Sequence, residues 1–302
     1  MRNRIFSLLL VSAVALVTGS VVGFAAPPNP ADFSTTIDNP LFPLSSLGPK
    51  VFDGETVDPD TGDTLATRLE SRVLPQTDVV AGVAVVVLEE KAYEDGELIE
   101  VALDYFAQNR DGSVYYLGER VDNYEGGVIV NHDGQWLSGE GQNEPGIVMP
   151  AQPVVGQTYD QENAPGIAED KATVLSINES VTVPAGTFSG CLKTRDFSPL
   201  DPGIEEFKFY CPGVGLVREE AEGEFLDLTS VQPAPTATAT ANPTVQPPTA
   251  SPTPQSVVVP ANTGAGGREG DGKATAYIIV VGAIGLALVG LGALGVRGAR
   301  RA

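Results

Sequence analysis

Four places in this chain hold side chains whose types and spacing could do chemistry. Asp58-Pro59-Asp60-Thr61-Gly62-Asp63 brings three carboxylates together around a glycine, as a calcium loop does to gather oxygen ligands. Asp58, Asp60 and Asp63 are therefore the candidate Ca2+ ligands. The twelve-residue EF-hand pattern fails, because its fifth position is Gly62 and its twelfth is Leu69. A solvated turn uses the same residues, since Pro, Gly and Asp all favour turns. Glu119, Glu140 and Glu144 accompany Tyr115, Tyr116 and Trp136. Two carboxylates beside a Trp suit glycoside cleavage when one is held protonated and the other ionised. The competing reading is an acidic outer face that aids solubility. His132 lies beside Asp133, but no GxSxG elbow and no SxxK pair is present to supply a nucleophile. Cys191 and Cys211 complete the set.

Composition removes more chemistry than it suggests. A single His excludes sites that need two imidazoles, such as HExxH zinc proteases. Of 18 basic and 39 acidic residues, seven basic and two acidic ones lie outside 27–230, leaving 11 and 37 within it. That central span thus carries about −26 charges, and phosphate binding needs a basic face. A nucleic-acid partner is not expected.

The elements that must position these residues begin with the two ends. Residues 1–26 read as a signal peptide: Arg2 and Arg4 lead, Ile5–Val17 is the apolar core, and Gly23 and Ala25 satisfy the small-x-small rule for cleavage after Ala25. Ala274–Val296 is a 23-residue stretch without charge, long enough to cross ~30 Å of hydrocarbon as a helix. Arg297, Arg300 and Arg301 follow, in the basic tail 297–302, and basic flanks stay cytoplasmic. The bulk of the chain is therefore expected outside the membrane. Residues 231–273 read as a linker; Val231–Pro260 within it holds eight Pro, six Thr and no charge. Such a segment favours extended polyproline conformations, and its 30 residues could reach up to about 90 Å as a stalk.

The span 27–230 reads as one β domain. Val79–Leu88 is an apolar run suited to a central strand, and Asp95-Gly96 between Tyr93 and Leu98 is a hairpin turn. Val101, Leu103, Tyr105 and Ala107 then alternate with Ala102, Asp104, Phe106 and Gln108. Asp111-Gly112 turns the chain into Ser113–Arg120, and a third hairpin is expected from Val128–Val130 and Gln135–Leu137 around Asn131–Gly134. After an irregular stretch, Glu144–Gly156, strands are expected at Ala172–Ile177, Val181–Val183, Phe188–Phe197, Glu205–Cys211, Leu216–Glu219 and Phe225–Thr229. About ten short strands without a long amphipathic helix predict an all-β fold: a single curved antiparallel sheet or a partly closed barrel. Side chains alone could fill such a barrel, or it could hold one small ligand. Cys191 and Cys211 are symmetric about Asp201 in Ser198–Gly203, so a hairpin there sets them opposite each other as a disulfide. The bond would close a loop of about 20 residues, worth roughly 3 kcal/mol on a chain-entropy basis.

Two resemblances add to this. Val183-Pro184-Ala185-Gly186-Thr187-Phe188, Cys191-Leu192-Lys193 and Tyr210-Cys211-Pro212-Gly213-Val214-Gly215-Leu216-Val217 resemble a pattern of exported bacterial proteins and lipoproteins of uncharacterised role. Asp38–Leu44 and Tyr116–Glu119 look like the same group. The resemblance implies a curved, carrier-like half-barrel and brings no activity or site; the stalk and C-terminal helix stand where a lipid anchor would be. Val259–Gly264, with the apolar span and basic tail behind it, resembles a Gram-positive-type sortase sorting signal, which implies cutting between Thr263 and Gly264 and wall attachment. Here two residues separate Pro260 from Thr263, and a charged spacer (Arg268, Glu269, Asp271, Lys273) delays the hydrophobic run.

The sequence points first to a membrane-anchored extracytoplasmic domain with a non-enzymatic binding or structural role, holding a small apolar ligand or meeting cell-wall polymer. A surface hydrolase of glycans and an adhesin are the alternatives.

Overall fold

A computed structural model describes residues 28–58, 61–233, 278–282 and 285–289. The expected signal peptide, most of the expected linker, the Thr263-Gly264 bond and the basic tail lie outside the described residues. Of the expected membrane helix, Ile278–Gly282 and Gly285–Val289 are described, as the two strands of a second antiparallel sheet. Among the described residues no helix is long and apolar enough to cross a membrane.

The domain is all-β. Its strands are β1 (Phe33–Ser34), β2 (Leu47–Val57), β3 (Thr64–Val80), β4 (Val83–Glu94), β5 (Glu97–Asn109), β6 (Val114–Glu125) and β7 (Val128–Asn131). They continue with β8 (Trp136–Leu137), β9 (Gly146–Met149), β10 (Thr158–Asp160), β11 (Lys171–Val183), β12 (Gly186–Phe197), β13 (Glu206–Cys211), β14 (Gly215–Ala221) and β15 (Glu224–Pro233). All fifteen belong to one antiparallel sheet, made of two meanders, β2–β7 and β10–β15, joined where β15 pairs with β2.

Turn chemistry explains the meander. Asp95 and Gly96 both take left-handed backbone (φ 47° and 84°), the two-residue hairpin turn the sequence signals. Ala81 and Gly82 do the same (φ 48° and 81°). This second turn corrects the expected single strand Val79–Leu88: Val79 and Val80 end β3, and β4 starts at Val83. The third hairpin is also corrected. β7 turns back on β6 through Gly126-Gly127, whereas Trp136 and Leu137 of β8 pair with Glu119 and Gly118 of β6. Gly118 permits this, because a Cβ there would stand 2.3 Å from the Trp136 carbonyl oxygen. The long β2 and β3, rich in polar residues, carry little apolar signal.

The sheet curls until its ends touch without closing. The segment just before β9, a strand bonded to β6, meets the segment after β10 through an isolated bridge, Glu144 to Asn163, with Glu144 N donating to Asn163 O at 2.9 Å. The concave interior holds the main core, including Phe52, Leu69, Leu88, Phe106, Leu192, Tyr210, Val217 and Leu228. A smaller core covers the outer face of β3–β6: Val83, Val85, Val87, Tyr105, Ala107 and Leu117, packed by Phe33 and Leu137. The alternation read in β5 therefore separates two buried faces. Residues 37–46 cross one end of the interior as a strap. Asn39 Nδ2 donates to Gly112 O and Pro150 O, and Pro40 O accepts from Gly213 N. Below the strap the rings of Phe42, Phe106, Tyr116 and Trp136 touch in series at 5.1, 4.8 and 5.5 Å. They fill part of the interior.

Cys191 and Cys211 form the expected disulfide, with Cα atoms 4.2 Å apart. The neighbouring pair Leu192–Tyr210 sets the register.

The seam between the two meanders leaves no space at Gly54, where a Cβ would lie 1.8 Å from Phe225 O. Gly54→Ala is expected to destabilise the domain by about 1–3 kcal/mol through overpacking, read as a lower urea midpoint.

Candidate functional site

The structure separates the residues singled out from sequence. Asp58 and Asp63 flank the β2–β3 turn, where Asp58 N donates to Asp63 O at 2.8 Å and Gly62 N to Asp58 O at 2.7 Å. Asp60 lies outside the described residues. Among the described residues no group of three His, Cys, Asp or Glu side chains is arranged to hold a metal. His132 Nδ1 sits 2.9 Å from Asp122, with its side chain half in solvent, and not in a triad.

Glu119, Tyr116 and Trp136 do come together, but Glu140 is exposed and the Glu144 carboxylate instead accepts from Asn163. Their companion is Glu162, which precedes the bridge residue Asn163. Trp136 Nε1 donates to Glu162 Oε1 at 3.4 Å, and Tyr116 OH donates to Asp104 Oδ1 at 2.8 Å. Burial, with Glu162, Asp104 and Glu100 nearby, pushes the Glu119 carboxyl well above its ordinary range. Burial and then Asp170 raise Glu162 to about 8. A glycosidase needs one protonated and one ionised carboxyl with a water or sugar between them. Here both are driven towards the neutral form, and Glu119 and Trp136 are each 2% exposed.

A second acidic group is organised by one lysine. On β13, Lys208 alternates with Glu206 and Tyr210 on the inward face, opposite Thr194 of β12 and Glu219 of β14. Its Nζ lies 3.2 Å from Asp196 Oδ2 and 3.6 Å from Glu206 Oε2, with the lysine side chain 2% exposed. Burial opposes its charge, but Asp196, Glu206, Glu219 and Asp170 outweigh that and raise its pKa above the usual lysine range. Burial raises Asp196 and Glu219, and lifts Glu206 well above normal, despite the attraction of Lys208. Glu90 of β4 is pushed up to about 7, also mainly by burial. Lys208 cannot by itself neutralise this many interior carboxylates, and burial favours their neutral forms.

Sequence reading missed Glu90, Glu162, Asp196, Glu206, Lys208 and Glu219. Their only signal is an inward place in the two-residue period. With 37 acids in the domain, that place does not mark them out.

Pockets open at both ends of the curl. Under the strap is a pocket of about 40 Å³ lined by Phe42, Phe52, Leu88, Leu216, Lys50 and Glu90 among others. At the opposite, acidic end is an open depression of about 760 Å³ with Glu205, Glu206, Glu220, Glu222 and Glu224 on its walls.

No protein-family description matches the chain, and neither does any curated protein. Among solved structures it is similar to a "putative lipoprotein" from Parabacteroides distasonis, at 16% identity and a TM-score of 0.33, over 64% of this chain and 98% of that one.

The raised carboxyls set a direction for stability. A carboxyl with a higher pKa in the folded state stabilises fully below its unfolded value, about 4.3, and less as pH rises through the folded value. Glu90 and Glu162 place that loss near pH 7 to 8. The thermal midpoint by calorimetry is expected to be higher at pH 5.5 than at pH 8.5. Lys208→Met should cost about 3–5 kcal/mol at pH 8.5, by stranding buried carboxylates. At pH 5.5, where the raised pKa values favour the neutral carboxyls, the same variant should cost less.

Proposed function

We propose that the chain is an extracytoplasmic domain tethered to the membrane through Ala274–Val296, with a binding rather than a catalytic role. The observation that carries this reading is the buried Cys191–Cys211 disulfide, which leaves no free thiol among the described residues. Disulfides persist in oxidising, exported settings and are rare in the cytosol. The signal-like start, the Pro/Thr-rich segment and the arginine-flanked apolar span agree with it. The curled sheet then acts as a displayed scaffold. Its interior carboxyls are buried, proton-holding groups, and the acidic pair beside Trp136 offers no exposed face to a glycan. Binding falls to the ends of the curl, where pockets open.

Protease added to intact cells should remove the domain, and the mature chain should begin at Ala26. A domain that survives on intact cells and is cut only after lysis would overturn the reading, as would a mature chain starting at Met1.

A further inference from the structure

The pocket under the strap combines features that the rest of the interior keeps apart. Its walls come from the strap (Phe42, Leu44), β2 (Lys50, Phe52), β3 (Ser71), β4 (Leu88, Glu90), the β13–β14 turn (Val214) and the start of β14 (Leu216). The lining is mostly apolar, with a few converging polar groups, which is the usual make-up of a small-molecule site. Lys50 reaches across the seam, and its Nζ donates to Leu216 O at 3.0 Å and stands 5.7 Å from the Phe52 ring centre. An ammonium has three donors, and one carbonyl occupies one of them.

We propose that this pocket binds a short-chain monocarboxylate, with its head group on Lys50 Nζ and its alkyl tail against Phe42, Phe52, Leu88 and Leu216. This deepens the binding role proposed above by naming a ligand class. A volume of about 40 Å³ limits the ligand to a few carbons, because one water needs roughly 10–15 Å³ on this scale.

The charged surroundings give the site a pH dependence. Lys50 from β2 and Glu90 from β4 line the pocket, and β3 contributes Arg72, whose guanidinium pairs with Glu89. Glu219 of β14 and Lys208 of β13 act on Glu90 from behind, while strap residues 42–47 carry no charge. Burial lowers Lys50 to about 8, and Glu90 is raised to about 7. Below pH 7 the pocket presents an ammonium beside a neutral carboxyl, both donors to an anion. Above pH 8 it presents a neutral amine beside a carboxylate, and the anion is repelled.

The test is a nuclear magnetic resonance titration of the full chain with propionate at pH 6.0 and pH 8.5, with propylammonium and propanol as controls. The expected result is a dissociation constant on the order of 1 mM at pH 6.0, at least about tenfold weaker binding at pH 8.5, and no site-specific shifts with propylammonium. Lys50→Met should lose at least about tenfold in affinity. A second readout uses the unaltered protein: propionate should slow reductive methylation of Lys50, seen by mass spectrometry, and leave the other lysines unchanged. Absence of propionate binding at pH 6.0, equal binding of propylammonium, or an unprotected Lys50 would overturn the proposal. Each of these results would leave the protease test of location standing.

Discussion

The fold depends on how Lys208 is held. An ammonium buried to 2% exposure is costly unless carboxylates surround it, and here Asp196 and Glu206 lie within 4 Å while Glu219 faces it from the next strand. Those carboxylates are themselves buried. Burial raises the pKa of each of these carboxyls, which favours their neutral forms in the folded interior. The remainder of the interior is then free to be apolar and aromatic.

This division runs along the curl. Towards the strap the interior is filled by rings in contact, from Phe42 to Trp136, and by aliphatic side chains of nearly every strand. Towards the other end, inward positions are taken by Thr56, Glu206 and Glu219, and the walls open into a glutamate-rich depression. A sheet that joins two meanders at a single seam and meets itself at one bridge needs packing to hold its curvature, and the strap and ring series provide it. The acidic end contributes solubility and little cohesion, in keeping with a domain whose charge is strongly negative.

Two buried acidic arrangements differ as environments. Glu119 beside Trp136 has the composition of a glycosidase pair, but burial drives both carboxyls there in the same direction. Lys50 beside Glu90 has an opposite-charge composition, and burial drives the two towards neutrality from opposite sides. Lys50 and Glu90 line the pocket under the strap.

Taken alone, the amino-acid order determined the all-β class, the Asp95-Gly96 hairpin and the Cys191–Cys211 bond. Each of these rests on local rules: alternation along a strand, a turn that needs left-handed backbone, and two residues equidistant from a turn. The turn at Ala81-Gly82 was hidden because valines on both sides read as one run. The pairing of β8 with β6, the strap and the seam at Gly54 were decided by the tertiary structure, since each rests on contacts between distant segments. The interior carboxyls belong there too. A strand's two-residue period says that Asp196 and Lys208 share a face with their alternate neighbours, but only the direction of curl decides which face is shut away from water.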